Sequence, residues 1–402
     1  MIRYPFLLVY NPTDVLLVLS GKPVPFSDIV ITGNAHAAAK CFDSLTNNPS
    51  ATTDALVSIL DAQTPSQMYQ SFNEMQPANF NNIAFAEENI AERIRQIYTD
   101  HFYEQKAVPC EERGAIRFWA APFAEMTRQH GNGYLPGYKQ HFAGFAAALD
   151  FLTQKHWTFA AGFSYASANM SVPHGKVHAD INTYAGSFGI AWTDKHWFFD
   201  GIFSYLYNAA YAKRKMRFAS NVGSMQLTAK HKERAGEYLG HLGGGYNIKA
   251  SESKRHTVNI YPFWNVDYMY LVDGKYRESG ARRLDLIVDS KRYDLLRPEG
   301  GLGIGYAGCF NCWNMQFDVA ASYVREIRYL GKKTQSRFKG NSCNIHTTGL
   351  KPENNLISPY ARLRFFSSQQ KKTLTSLTLG YHGEFGSHFI DNACEAELKF
   401  SF

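Results

Sequence analysis

Cys394-Glu395-Ala396-Glu397-Leu398-Lys399-Phe400-Ser401-Phe402 is the stretch whose reading decides the fold. Its side chains alternate without a miss. Cys394, Ala396, Leu398, Phe400 and Phe402 fall on one face, and Glu395, Glu397, Lys399 and Ser401 on the other. Period-two alternation means a strand with one dry and one wet face. A charged strand that stops on an aromatic residue fits the closing strand of an outer-membrane β-barrel. Its apolar face meets lipid, its polar face meets the lumen, and an aromatic ring sits at the interface.

Working backwards, the chain from Arg113 onward breaks into twelve alternating segments. In one, Trp197, Phe199, Phe203, Tyr205, Tyr207 and Tyr211 oppose Asp200 and Ser204. In another, Val258, Ile260, Trp264, Val266, Tyr268 and Tyr270 oppose Asn259, Asn265 and Asp267. In a third, Trp313, Met315, Phe317, Val319 and Tyr323 oppose Asn314, Gln316, Asp318 and Ser322. A soluble sandwich alternates too, but these segments exceed the usual strand length of about five or six residues. An even number permits closure with both ends on one side. Short turns, such as Thr153-Gln154 and Thr193-Asp194-Lys195, alternate with longer basic loops at 214–224, 274–290 and 330–356. The predicted fold is all-β: a 12-stranded antiparallel outer-membrane barrel over 113–402, plugged by an N-terminal helical linker over 51–112. Residues 1–50 read as a β-solenoid-like remnant of short strands and turns, including Ile29–Ile31, too small to fold alone.

Composition agrees. Mean hydropathy is −0.32, too polar for a bundle of membrane helices, yet aromatic residues make up 15% of the 402. That excess suits girdles of aromatic side chains at two membrane interfaces. No run of about 18 apolar residues predicts a transmembrane helix. Asn11-Pro12-Thr13-Asp14 interrupts the N-terminal apolar runs and spoils a signal-peptide core. Residues 1–112 hold six Lys/Arg against thirteen Asp/Glu, a net charge of −7, and the remainder carries +14. A basic barrel suits lipopolysaccharide phosphates outside or an acidic plug inside. No nucleic-acid module accompanies the charge. Of the six cysteines, Cys309 and Cys312 are the only close pair, read as a turn-stapling disulfide or two ordinary thiols.

The linker has helical period. Ala55, Leu56, Ile59 and Leu60 mark one helix. Thr64-Pro65-Ser66-Gln67 supplies an N-cap, Pro at the first helical position and Gln at the third. Pro77 ends the second helix, and a third runs from about Asn79 to Phe102. Phe80, Ile83, Ala84, Ala91, Ile94, Ile97 and Tyr98 recur in it at steps of three and four. Its remaining positions are Asn, Glu, Arg and Gln, as in any amphipathic helix packed on a domain face. Glycines within the strands, Gly189 among them, either make room for such a helix or relieve barrel curvature.

The order of parts resembles the C-terminal region of autotransporters, the type V secretion proteins, over roughly residues 50–402. The pieces that carry the resemblance are Ala55-Leu-Val-Ser-Ile-Leu60, Ser66-Gln-Met-Tyr69, Ile90-Ala-Glu-Arg-Ile94, Arg117-Phe-Trp-Ala120, Gly144-Phe-Ala-Ala-Ala-Leu-Asp150, Ala161-Gly-Phe-Ser-Tyr165, Gly300-Gly-Leu-Gly303 and the terminal Phe402. Cysteines in the barrel region, and no clear signal peptide or full passenger, depart from the pattern, so a truncated or split product is expected. The resemblance implies a monomeric translocator in the outer membrane of a Gram-negative bacterium. It would export its own N-terminal passenger and anchor it with the N-terminus at the cell surface. Implied partners are outer-membrane lipid, lipopolysaccharide and the barrel-assembly machinery, for which Phe400 and Phe402 would be the terminal signal. The implied lumen helix carries Phe80, Asn81, Asn82, Arg93 and Arg95, and the arginines are expected to meet lumen acids such as Asp200, Asp267 or Asp318. A plugged porin-like channel or surface adhesin without a secretion role is the alternative.

Some members of that family cut their linker helix at an Asn-Asn bond. Asn81-Asn82 lies in the right helix, but the surrounding motif does not match. Histidines are plentiful, with none in a recognisable catalytic constellation. No nucleophile elbow, phosphate loop or HExxH occurs, so neither an enzyme nor a cofactor or metal site is expected.

Overall fold

The computed structural model describes residues 3, 6–10, 14–19, 22–47, 50–104, 116–132, 135–154, 156–173, 176–194, 196–253, 255–309, 313–331, 333–367 and 375–401. Two short strands come first, β1 (Phe6–Tyr10) and β2 (Val15–Leu19). Helices α1 (Phe26–Ile29), α2 (Gly33–Thr46), α3 (Ala51–Asp61), α4 (Pro65–Met75) and α5 (Asn81–Glu104) follow. Then come β3 (Arg117–Gln129), β4 (Tyr138–Gln154), β5 (Trp157–Ser171), β6 (Val177–Thr193), β7 (Trp197–Ser220), β8 (Gly223–Tyr246), β9 (Ile248–Glu252) and β10 (His256–Asp273). The chain continues through β11 (Tyr276–Arg277), β12 (Leu286–Val288), β13 (Lys291–Cys309), β14 (Trp313–Arg325), β15 (Lys333–Phe338) and β16 (Ile345–Thr348). It finishes with β17 (Asn355–Ser367), β18 (Thr375–Phe385) and β19 (Phe389–Ser401).

Twelve of these strands form one closed antiparallel barrel. The order runs β13-β14-β17-β18-β19-β3-β4-β5-β6-β7-β8-β10, and β10 pairs back onto β13. The last strand closes against the first, from Phe389 opposite Gln129 to Ser401 opposite Arg117. Closure leaves no edge of unpaired backbone groups, which a lipid environment requires. The faces are those of the sequence pattern. Trp197, Phe199, Phe203 and Tyr205 stand exposed on the outside, while Asp200, Ser204 and Asn208 on the same strand are buried inside. On β19, Leu398 faces out, and Glu397 and Lys399 are buried. Phe400 is half-buried and opposite Phe118. Phe402 lies outside the described residues.

Residues 22–47 correct the solenoid expectation. They hold the helices α1 and α2, and β1 with β2 is an antiparallel hairpin rather than stacked rungs. Ile29 ends a helical turn instead of opening a strand. The missed signal is the recurrence of Ala35, Ala38, Ala39, Phe42 and Leu45, all buried on one face of α2. Helices α1 to α4 build a small apolar cap. Phe26, Phe42 and Phe72 meet with ring centres 5.5 to 5.6 Å apart, Phe42 edge-on to both others and Phe26 tilted against Phe72. The start of α4 follows the sequence signature, with the Thr64 side chain capping Gln67 and the Gln67 side chain returning to the Thr64 backbone.

The long loops are also more ordered than expected. Residues 214–224 are not a loop, since β7 and β8 continue as a hairpin to Ser220 opposite Gly223. Segments within 274–290 and 330–356 form a second sheet in the order β11-β12-β15-β16 above the barrel mouth. The cap docks on it. Asn34 and Thr348 exchange hydrogen bonds of 2.8 and 2.9 Å, and Asn341 donates to the Cys41 carbonyl at 2.9 Å. A disulfide joins Cys41 on α2 to Cys343 in the β15–β16 loop, with Cα atoms 5.4 Å apart. Local spacing could not reveal this pairing, because 302 residues separate the partners. Cys312 lies outside the described residues.

Candidate functional site: the barrel lumen and its helix

Helix α5 runs through the lumen. Its first turn lies at the long-loop mouth, where Asn82 donates to the Pro136 carbonyl at 3.4 Å. The Asn81 amide oxygen accepts from Thr334 Oγ1 at 2.7 Å, Lys291 Nζ at 3.0 Å and the Tyr293 hydroxyl at 3.3 Å. Phe80, just before the helix, meets the His231 ring edge-on at 4.7 Å, and His231 stacks on Tyr276 at 4.0 Å. The other end lies at the short-turn side, where Tyr103 contacts the Phe198 ring at 5.1 Å.

One stripe of the helix is apolar, with Ile83, Ile90, Ile94 and Ile97 buried on it. On its other faces Glu88, Glu92, Arg93, Arg95, Asp100 and His101 each take part in an ion pair with the wall, while Glu87 lies near the acids Glu233, Asp273 and Glu237. Arg93, about 1% exposed, donates to Glu395 at 2.8 Å and to Gln96 at 3.0 Å. Arg95 pairs with Glu92 on its own helix and reaches Asp267 at 3.5 Å. Glu92 also takes Arg297 at 2.8 Å, and Arg297 pairs onward with Glu384. Glu88 pairs with Arg328, which also holds Glu326 at 2.9 Å. Asp100 pairs with Arg362 at 2.5 Å. His101 bridges Asp150 at 2.9 Å and Glu397 at 3.0 Å while stacking on Trp119 at 4.5 Å. Burying an ion costs free energy unless pairing and hydrogen bonds offset it. These side chains therefore fix both the depth and the rotation of the helix.

Of the expected lumen acids, Asp267 meets Arg95. Asp200 instead flanks His241 at 2.9 Å, with Asp267 on the ring's other nitrogen at 2.5 Å. Asp318 accepts from Gln316 at 2.8 Å and contacts neither Arg93 nor Arg95. Glu395, the acid that Arg93 does use, lies on the polar face that the alternation of its strand predicts, but that alternation does not single it out as the helix's partner. Alternation tells which residues face inward. It does not tell the helix's depth, which selects among them.

Two glycines mark where helix and wall come closest. A Cβ on Gly189 would lie 2.6 Å from the Phe102 ring, and one on Gly162 would lie 2.4 Å from the Tyr98 hydroxyl. Gly186, three positions away and on the outward face of β6, has nothing within 4 Å of that position. The helix explains the first two glycines and not the third.

A closed twelve-strand barrel with an apolar exterior, a charged lumen and a helix threaded through it defines an outer-membrane β-barrel with an occupied pore. The family model described as the autotransporter beta-domain matches residues 118–358, well over half of the chain, and the chain belongs to that family. It is an outer-membrane translocator domain of a Gram-negative bacterium. Among solved structures, the translocator domain of the autotransporter NalP from Neisseria meningitidis superposes with a TM-score of 0.57 at 12% identity, covering 79% of this chain and 97% of that one. The beta domain of the Bordetella autotransporter BrkA gives 0.50 at 15% identity, covering 72% and 100%. Outer membrane protein A of Rickettsia conorii is 23% identical over 183 residues, which is 44% of this chain and 9% of that protein. The chain thus spans about a tenth of the length of the curated relatives it matches.

Proposed function

We propose that this barrel exports an N-terminal passenger and then anchors it, with the long-loop mouth at the cell surface and α5 left in the pore. The observation that carries this reading is the direction of threading. Asn81 lies at the long-loop mouth, and β3 starts from the opposite end, where Arg117 pairs with Ser401. Everything N-terminal to α5 therefore lies on the far side of the barrel from the end where β3 begins. A chain that had been drawn through the pore would finish in this arrangement. The cap of α1 to α4 is then the junction between passenger and pore, and Cys41–Cys343 ties that junction to the rim. Lipopolysaccharide around the barrel, the barrel-assembly machinery reading Phe400 and Phe402, a monomeric state, and no catalytic role complete the proposal.

The test is electrical. The full chain and a chain beginning at residue 108 are refolded and compared in planar bilayers. A small, flickering conductance in the first and a large, steady one in the second is the expected outcome. Equal open conductance would sink the reading and favour a plain channel.

A further inference from the structure

We propose that the outer face of the β7–β8 hairpin is a binding surface for a phosphorylated saccharide headgroup borne by a membrane glycolipid. The inference rests on the membrane-spanning orientation proposed above and adds a specific partner surface to it.

The sequence Lys230-His231-Lys232-Glu233-Arg234 sorts its charges by parity. Lys230, Lys232 and Arg234 are exposed, and His231 and Glu233 are buried in the lumen. On β7, Arg214 points inward to Glu278, while Lys213, Lys215 and Arg217 point outward. The two sets interleave across the hairpin. Lys213 lies opposite Lys230, Tyr211 opposite Lys232, and Ala209 opposite Arg234. Like charges directly opposite in a sheet repel. Among the described residues, none of these six side chains has an acidic partner. The nearby Glu74 is engaged by Lys176 at 3.2 Å and by the backbone N–H of Arg217 at 2.7 Å. Lys213 instead lies over the Tyr211 ring, 5.2 Å from its centre. The hairpin thus presents a column of cations to whatever surrounds the barrel wall.

Height above the membrane selects the ligand. A strand rises about 3.3 Å per residue and tilts about 45° in such barrels, so it gains roughly 2.3 Å per residue along the membrane normal. Exposed Trp197 at the short-turn end and Tyr207 above it are then about 23 Å apart, close to the apolar band of about 25 Å. Tyr238 on β8 stands beside them as the upper ring. Measured from Tyr207 and Tyr238, the six cations extend from about 9 to about 23 Å beyond the apolar boundary. Ordinary phospholipid headgroups occupy only about 5 to 8 Å per leaflet. A headgroup that carries its anionic groups on a saccharide reaches this column, and a simple phospholipid does not.

The full chain is refolded into phosphatidylcholine vesicles containing lipopolysaccharide, its dephosphorylated form, or phosphatidylglycerol at matched charge. Glycolipid retained per barrel after detergent extraction is measured at low and high salt. Retention of the phosphorylated form alone, weakening with salt, is expected. Each basic residue near an anionic surface contributes about a fivefold factor. The quadruple variant Lys213→Gln, Lys230→Gln, Lys232→Gln and Arg234→Gln therefore loses at least about tenfold. Arg128→Gln with Lys139→Gln, on β3 and β4, loses little. Equal retention of the dephosphorylated glycolipid or of phosphatidylglycerol overturns the proposal without recourse to a variant. So does unchanged retention by the quadruple variant. Missing heat-shifted gel mobility in every vesicle would instead remove the membrane-spanning reading beneath it.

Discussion

The lumen helix and the cap above it belong to one continuous N-terminal segment and share one apolar cluster, yet only the helix adds a set of buried charge pairs to it. Helix α5 is surrounded by charge. Arg93, Arg95, Asp100 and His101 each find a wall partner, beside a buried apolar stripe that includes Ile90, Ile94 and Ile97. The cap is held by its own aromatic core of Phe26, Phe42 and Phe72 and by one covalent bond to the rim. The comparison teaches that apolar packing can fill a pore while buried charge pairs set the position of what fills it. Inside the lumen, Ile90, Ile94, Ile97, Tyr98 and Phe102 are buried against apolar wall residues such as Trp119 and Ala160, and the charge pairs on the other faces of the helix fix where it rests. The cap lies beyond the pore, where its apolar core needs no charge pairs to place it.

The largest test of this contrast is covalent. A protease site inserted at 47–50, between α2 and α3, cuts the chain between Cys41 and the pore. The released N-terminal fragment is expected to stay with the barrel on non-reducing gels and to leave on reduction. Cys343→Ser is expected to free it without reductant. Retention in that variant would show that non-covalent docking of the cap suffices.

Charge reversal at Arg93 comes next. It places a second acid against Glu395, and breaking a buried pair costs about 3–5 kcal/mol. The helix is expected to leave its position, with larger conductance and a lower heat-shift midpoint. Combining Arg93→Glu with Glu395→Arg is expected to recover part of the loss, the coupling of a double-mutant cycle. Failure of the pair to recover anything would mean that the contact does not position the helix.

A smaller effect tests the close approach at the wall. Gly189→Ala forces a methyl group toward the Phe102 ring, and overpacking of this kind costs about 1–3 kcal/mol. Gly186→Ala on the same strand meets open space and is expected to be neutral. Equal heat-shift midpoints for the two variants would place the helix elsewhere.

The smallest concerns the rim. The Ser387 hydroxyl, then the backbone N–H groups of Asn354, His388 and Asn355, hold the Glu353 carboxyl below its ordinary value of 4.5. A lowered folded pKa stabilises above the unfolded value and is lost as pH falls through the folded one. Ser387→Ala is therefore expected to weaken the rim slightly near neutral pH and to leave acid stability unchanged. A larger loss at low pH than at neutral pH would reverse that sign.

Much of this was legible in the residues. The face of each strand, the cap at Thr64 and Gln67, and a helix ahead of the barrel follow from periods of two and 3.6. The helices at 26–29 and 33–46 escape a local reading because Pro23, Pro25 and Gly33 signal turns beside the alanine-rich stretch. The rim hairpin was missed because Lys213 to Arg217 look like a basic loop until Arg214 is seen to point inward.

By itself, then, the sequence determined which side chains face lipid and which face the lumen, because the pleat alternates whatever the partner strand. Only the tertiary structure decided that Arg93 meets Glu395, that Phe102 lies against Gly189, and that Cys41 bonds Cys343. Those contacts join residues 87 to 302 positions apart. They depend on strand register and helix depth, which no local period encodes.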